Sequence, residues 1–146
     1  MYLTIRAIVL RVTDYNDHDA LLTVLTQNYG KLTIKARGLR RKNSPLIAPC
    51  QLLAFGEFTL FEYKGKYTIN EAHALELFQG LRRELTQLSL GSYFAQVAEL
   101  ISQEDMPNPE LQALLLNCLY ALSALHLSET MVKAVFELRA ADGFQI

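Results

Sequence analysis

The chain has few of the residues from which disulfide scaffolds and metal sites are built. Only two of its 146 residues are cysteines, Cys50 and Cys118, far apart in sequence. Each sits among apolar neighbours (Ala48, Pro49 and Leu52; Leu116 and Leu119), which reads as two buried, reduced thiols rather than a disulfide or metal site. No Cys-x-x-Cys occurs, and the three histidines, His18, His73 and His126, have no ligand spacing. Common catalytic signatures are missing too: there is no Gly-x-Ser-x-Gly, no P-loop and no His-Glu-x-x-His. These absences argue against a metal, a cofactor and an enzyme. The opening Met1-Tyr2-Leu3-Thr4-Ile5-Arg6 has no basic region followed by an apolar core, so no signal peptide is expected. The most apolar stretch, Leu111 to Leu127, is interrupted by Gln112, Asn117 and His126 and fits a core helix rather than a membrane span. The expected compartment is the cytoplasm. Repeats and low-complexity tracts are also missing.

What is present suffices for a folded core. Hydrophobic residues make up 51% and charged residues 20%, a balance that needs neither disulfide nor metal at this length. The net charge of -1 hides an asymmetry. Residues 1–80 carry ten Lys/Arg against seven Asp/Glu, net +3, whereas residues 81–146 carry four against eight, net -4. Such a split points to two regions with separate roles.

The first half reads as strands. Ile5, Ala7 and Val9 alternate with Ile8 and Leu10, leaving both faces apolar, as in a strand of a closed barrel. Ala20 to Thr26 is a second strand, although its leucines would suit a helix, because Asn28-Tyr29-Gly30-Lys31 follows as a tight turn with a glycine able to take positive φ. Leu32 to Arg37 alternates apolar and polar, as a half-buried returning strand does. Gly38 to Pro49 breaks the pattern and is expected to be a mobile loop. Leu52 to Tyr63 is a long strand with Gly56 as a bulge or bend. Tyr63-Lys64-Gly65-Lys66 turns it back into a fifth strand at Tyr67-Thr68-Ile69. Five short strands in about 70 residues suggest a small antiparallel barrel, of which the OB-fold is one architecture.

After Ala72 the period becomes helical. Leu81, Leu85, Leu88, Tyr93, Val97 and Leu100 recur at helix spacing, with Gly91 as a possible break. Asn108-Pro109-Glu110 combines an N-cap, a proline at the first helical position and an acid against the dipole. Its buried stripe is Leu111, Leu114, Leu115, Cys118, Leu119 and Leu122. Ser128 caps a further helix through Val132, Val135, Phe136 and Leu138, with Asp142-Gly143 as its stop. The expected class is therefore α+β in two small domains, a five-stranded OB-fold barrel over residues 1–78 and an α-helical bundle over 79–146.

The sharpest feature is a basic run. Lys31, Lys35, Arg37, Arg40, Arg41 and Lys42 fall within twelve residues that contain no acid. Lys31, Lys35 and Arg37 share one strand face; Arg40, Arg41 and Lys42 lie on the adjoining loop. Phosphate binding needs such cations, because neutralising a phosphate releases condensed counterions; a solvated strand face with a soluble loop would carry the same charges. Single-strand binders also stack bases on aromatics beside a basic groove. Period 2 places Phe61 and Tyr63 on the outer face with Glu57 and Thr59, and Phe58 with Leu60 in the core. Phe61, Tyr63 and Tyr67 are the candidate stackers, although most aromatics of small barrels are core. Asp14, Asp17 and Asp19 flank His18, which fits a polar turn better than a hydrolytic site, as no nucleophile accompanies them.

Several segments together resemble the bacterial recombination mediator family RecO: Ala36-Arg37-Gly38-x-Arg40-Arg41, Asp19-Ala20-Leu21-Leu22-Thr23-x-Leu25-Thr26 with Gly30-Lys31, and Phe136-Glu137-Leu138-Arg139. The resemblance spans nearly the whole chain in order. It implies an OB-fold followed by a helical domain, binding to single- and double-stranded DNA, and strand annealing. It also implies cooperation with RecR to help RecA displace single-strand-binding protein, and contact with that protein's C-terminal tail. The implied location is the bacterial cytoplasm, at the nucleoid. On this basis Lys31, Lys35, Arg37, Arg40, Arg41 and Lys42 would hold the phosphate backbone, no catalytic residue would be needed, and Arg139 is a candidate for the acidic tail, or equally a surface arginine paired with Glu137. Family members usually continue beyond the equivalent of Ile146, many with a four-cysteine zinc-binding insertion. This departure suggests a truncated chain for which the zinc site cannot be claimed, an incomplete helical domain, and an apolar surface left exposed around Phe136, Leu138 and Phe144. The alternative is a protein-interaction module that binds single-strand-binding protein or RecR and has no DNA affinity of its own.

Overall fold

The structure is a computed structural model that describes residues 1–144, with side chains through residue 142. Five strands, β1 (Tyr2–Asp14), β2 (Ala20–Thr26), β3 (Lys31–Ala36), β4 (Phe55–Tyr63) and β5 (Lys66–Glu76), precede four helices, α1 (Gln79–Arg82), α2 (Leu85–Ile101), α3 (Pro109–Ser123) and α4 (Glu129–Phe144). The strands close into a barrel in the order β1-β2-β3-β5-β4. All neighbours are antiparallel except β3 and β5, which pair in parallel through Ile34 with Tyr67 and Lys35 with Thr68. This is a five-stranded OB-type barrel followed by a helical domain.

Both faces of β1 are apolar for two different reasons. Ile5, Ala7 and Val9 point into the barrel with Leu22, Val24, Ile34, Phe58 and Leu60. Ile8 and Leu10 point outward into a second core, shared with Leu25, Leu53 and the helices. The apolar outer face is thus a docking surface covered by α2 and α3, on which α4 packs in turn. Gly56 marks a register shift against β5, and a Cβ there would lie 2.7 Å from the His73 carbonyl oxygen. β5 outruns its expected end at Ile69 because β4 continues to pair with it, Glu57 opposite His73 and Gly56 opposite Ala74. The segment expected as a mobile loop, Gly38 to Pro49, is a chain of turns. Leu39, Leu46 and Cys50 pack into the barrel core, and the Cys50 N–H donates to the Leu46 carbonyl at 3.0 Å.

The helices depart from expectation where glycine was read as a breaker. Gly91 lies buried within an unbroken α2, where a Cβ would meet Leu53 at 2.9 Å and Leu119 at 3.2 Å. It is a close-packing position, and the actual break falls between α1 and α2 at Arg83 and Glu84. The buried stripe of α2 is Phe94, Ala95 and Ala98 with Gly91, while Leu85 and Leu100 face solvent. α3 follows expectation: Asn108 Oδ1 accepts the Leu111 N–H at 3.2 Å, and Leu111, Leu115, Cys118, Leu119 and Leu122 are buried. The Ser128 hydroxyl accepts the Met131 N–H at the start of α4. Asp142-Gly143 does not stop α4, which continues to Phe144. Phe136 is not exposed either: it stacks on Phe94 with centroids 4.2 Å apart, because α4 turns Val132, Phe136 and Ala140 toward α2 and α3. Leu138 is exposed, and the Phe144 side chain lies outside the described residues.

Polar contacts fix the helical domain on the barrel. The buried Gln112 amide of α3 donates to the Arg6 carbonyl at 3.1 Å and the Leu25 carbonyl at 2.9 Å. Arg82 donates to the Leu52 and Leu77 carbonyls. Arg11 pairs with Glu99 at 3.0 Å. At Gly30 (φ 70°) a Cβ would fall on the Met106 carbonyl oxygen and 2.6 Å from that of Gln103, so the α2–α3 connection presses directly on the β2–β3 turn.

Candidate nucleic-acid interface

β3 alternates Leu32, Ile34 and Ala36 into the barrel with Lys31, Thr33 and Lys35 outward, and Arg37 continues the outer row. The basic run divides according to what surrounds each cation. The Lys31 ammonium donates to the Glu99 carbonyl at the end of α2, at 2.9 Å, so this residue joins barrel to helix. Lys35 lies over the ring of Tyr15, 4.8 Å from its centroid. Arg40 donates through Nη1 to the Asn16 carbonyl at 2.7 Å and faces Asp14 at 3.4 Å. Arg37, Arg41 and Lys42 are exposed, and among the described residues none bonds or pairs with their cationic groups.

Two loops form this end of the barrel as one unit. In the β1–β2 loop, Asn16 Oδ1 accepts the N–H groups of His18 and Asp19, an Asx turn. Asp19 in turn accepts the Gly38 N–H of the β3–β4 segment at 2.8 Å and the Asn16 amide at 2.9 Å. The Arg40 N–H donates to the His18 carbonyl at 2.9 Å. The Gly38 N–H, then the Asn16 amide, then the nearby Lys35 and Arg37 hold the Asp19 carboxyl below the usual aspartate value. Asp19 therefore builds the turn that positions the basic segment, and Asp14 faces Arg40 beside it. Gly38 itself takes φ 68°, the left-handed conformation that sends the chain from β3 into this loop.

The expected stacking aromatics are not gathered here. Phe61 and Tyr63 lie on the outer face of β4, exposed, with Tyr2 edge-on to Phe61 at 5.3 Å and Lys64 over Tyr63 at 5.3 Å. β4 is not a neighbour of β3, so this patch sits on a different wall of the barrel. The Tyr67 ring packs against the barrel core, and burial, with Asp105 and Glu62 nearby, pushes its hydroxyl up. The aromatic that does meet the basic face is Tyr15, which sequence reasoning passed over. Its only signal is an aromatic set inside a polar turn, Asp14-Tyr15-Asn16-Asp17.

Arg139 lies on a groove of about 730 Å³ between α3 and α4, lined by Leu114, Leu127, Met131 and Val135 among others. Glu137, offered as its partner, is engaged elsewhere: it accepts the Tyr93 hydroxyl at 2.5 Å and the Lys133 ammonium at 3.1 Å. Both donors hold the Glu137 carboxyl below its usual value. Both cysteines are buried and unpaired, and burial pushes the Cys50 thiol up to about 12 and the Cys118 thiol up to about 11. Among the described residues no helix is long and apolar enough to cross a membrane.

Residues 1–78 match the family described as Recombination protein O N terminal, and residues 82–144 match Recombination protein O C terminal. Similar proteins, each named DNA repair protein RecO, come from Acetivibrio thermocellus (34% identical over 138 residues), Alkaliphilus metalliredigens (30% over 142) and Bacillus subtilis (31% over 116). These alignments cover 94%, 97% and 80% of this chain but 55%, 58% and 46% of the relatives. The chain spans about half the length of the curated relatives it matches.

Proposed function

The chain belongs to the recombination protein O (RecO) family, and from that premise we propose that its barrel binds single- and double-stranded DNA and brings complementary strands together during recombinational repair. The observation that carries this reading is the set of three exposed cations, Arg37, Arg41 and Lys42, which have no partner among the described residues and stand near Lys35 on a hydrogen-bonded pair of loops. Backbone phosphates are the ligand that such a set suits. The contacts would be independent of sequence, because they reach no base edge. Annealing needs no catalytic residue: cations on the barrel screen the repulsion between two strands and raise their local concentration. In this reading Arg40 and Lys31 act as positioning residues rather than phosphate ligands. The protein works in the cytoplasm, at the nucleoid, with RecR, and helps RecA replace single-strand-binding protein.

A second surface supports a partner role. The α3–α4 groove has apolar walls that suit the apolar end of a peptide, and Arg139 at its edge could meet an acid there although Glu110 and Asp142 also line it; the C-terminal tail of single-strand-binding protein is the candidate.

Fluorescence anisotropy of a labelled oligo-dT at two salt concentrations tests the first reading. Wild type should bind, and more weakly as salt rises; Arg37→Ala/Arg41→Ala/Lys42→Ala should bind at least about tenfold more weakly with a shallower salt dependence. Equal binding by both proteins would remove these loops from the interface. No binding by wild type at low salt would favour the module that contacts only proteins.

A further inference from the structure

We propose that Tyr15 is the base-stacking residue of this interface, so that the β1–β2 loop distinguishes single-stranded nucleic acid, with its unstacked bases, from duplex. This rests on the DNA-binding reading above and goes beyond it by placing the base contact at Tyr15, away from Phe61 and Tyr63.

Three observations meet at this residue. Tyr15 is 55% exposed. Lys35 occupies one ring face at 4.8 Å, so the exposure lies on the ring edge and the opposite face. A cation on one face draws on the π-electrons and leaves the other free to receive a flat base, whose own ring stacks there. The main chain that carries the ring is also held in place. The Tyr15 N–H donates to the Asp19 carbonyl at 3.1 Å, and the next residue, Asn16, has its carbonyl held by Arg40. A platform fixed before binding loses little conformational freedom when a base arrives.

The placement matches what a single strand requires. Its phosphates and bases project to opposite sides of the backbone, so cations and an aromatic face must lie side by side. Here the aromatic sits against the β3 cation row, with Arg37 next along the outer face and Arg41 and Lys42 beyond Gly38. The Tyr2, Phe61 and Tyr63 patch has Lys64 over Tyr63 but lies apart from the β3 cation row: its strand is separated from β3 by β5 on one side and by β1 and β2 on the other.

The test compares oligo-dT with an abasic oligomer of the same length, which keeps the phosphates and removes the bases. Tyr15→Ala should weaken oligo-dT binding roughly ten- to a hundredfold, Tyr15→Phe should bind like wild type, and all three proteins should bind the abasic oligomer equally. Tyr63→Ala should match wild type on both. The chain has no tryptophan, so Tyr15→Trp adds a single reporter whose emission oligo-dT should quench and the abasic oligomer should not. If Tyr15→Ala binds oligo-dT like wild type, or loses affinity for both oligomers alike, Tyr15 is not a stacking residue. If wild type binds neither oligomer at low salt, the DNA-binding reading itself fails.

Discussion

Lys31 and Arg37 stand on the same face of one strand, six residues apart, yet they belong to different parts of the protein. Lys31 is closed over by the end of α2 and its charge ties two regions together, whereas Arg37 faces solvent beside two loops that hold it outward. The same contrast runs around the barrel. The outer face of β1 is buried beneath α2 and α3 through Ile8 and Leu10, while the outer face of β3 stays open beyond Lys31. A cluster of like charges in sequence is thus divided by where the helices dock, and only the undocked part is available to a polyanion.

The contrast can be broken most strongly at the seam. Gly30→Ala would force a side chain into the left-handed region and against the α2–α3 backbone, and we expect a loss of about 2–4 kcal/mol in chemical denaturation. Gln112→Leu should cost about 1–3 kcal/mol, because it removes the amide donor from the buried Leu25 carbonyl and one of the two donors to the Arg6 carbonyl. Lys31→Ala sharpens the comparison with Arg37→Ala. The first should cost about 1 kcal/mol of stability and change oligo-dT affinity little. The second should leave the melting temperature unchanged and flatten the salt dependence by about 0.7 in log–log slope. A Lys31→Ala variant that keeps its stability but loses DNA affinity would erase the division proposed between them.

Smaller effects follow from the perturbed groups. Asp19 has a lowered pKa in the folded state, so its contribution is present above the ordinary value of 3.8 and is lost as pH falls through the lower, folded-state value. The amide resonance of Gly38, its main partner, should therefore titrate with a midpoint below 3.8. For the cysteines, burial keeps both thiols protonated, so iodoacetamide should label neither at mildly alkaline pH until denaturant is added. Rapid native labelling of Cys50 would contradict its place in the barrel core.

The elements of this fold were mostly legible where a local rule governs them, the stop read at Asp142-Gly143 being an exception. The alternation of β3, the glycine turn at Gly30 and the cap at Asn108 each act over a few residues, and each is found as read. What failed depended on partners distant in sequence. Gly91 was read as a break because its contacts, Leu53 and Leu119, come from other elements. Tyr67 resembled an exposed stacker, but parallel pairing with Ile34 turns it to the core. In the candidate site, the basic run was visible in full, but its division was not. Which cations are engaged depends on Glu99, Asn16 and Asp14, none of them within ten residues of the cation it holds.

The most direct test of the division is an amide chemical-shift titration of the isotope-labelled protein with oligo-dT at low salt. The account predicts shifts concentrated in residues 15–19 and 35–42, with Lys31 and the strand carrying Phe61 and Tyr63 little affected. Shifts centred on Tyr2, Phe61 and Tyr63, or spread along α3 and α4, would contradict it and move the nucleic-acid surface to another wall of the molecule.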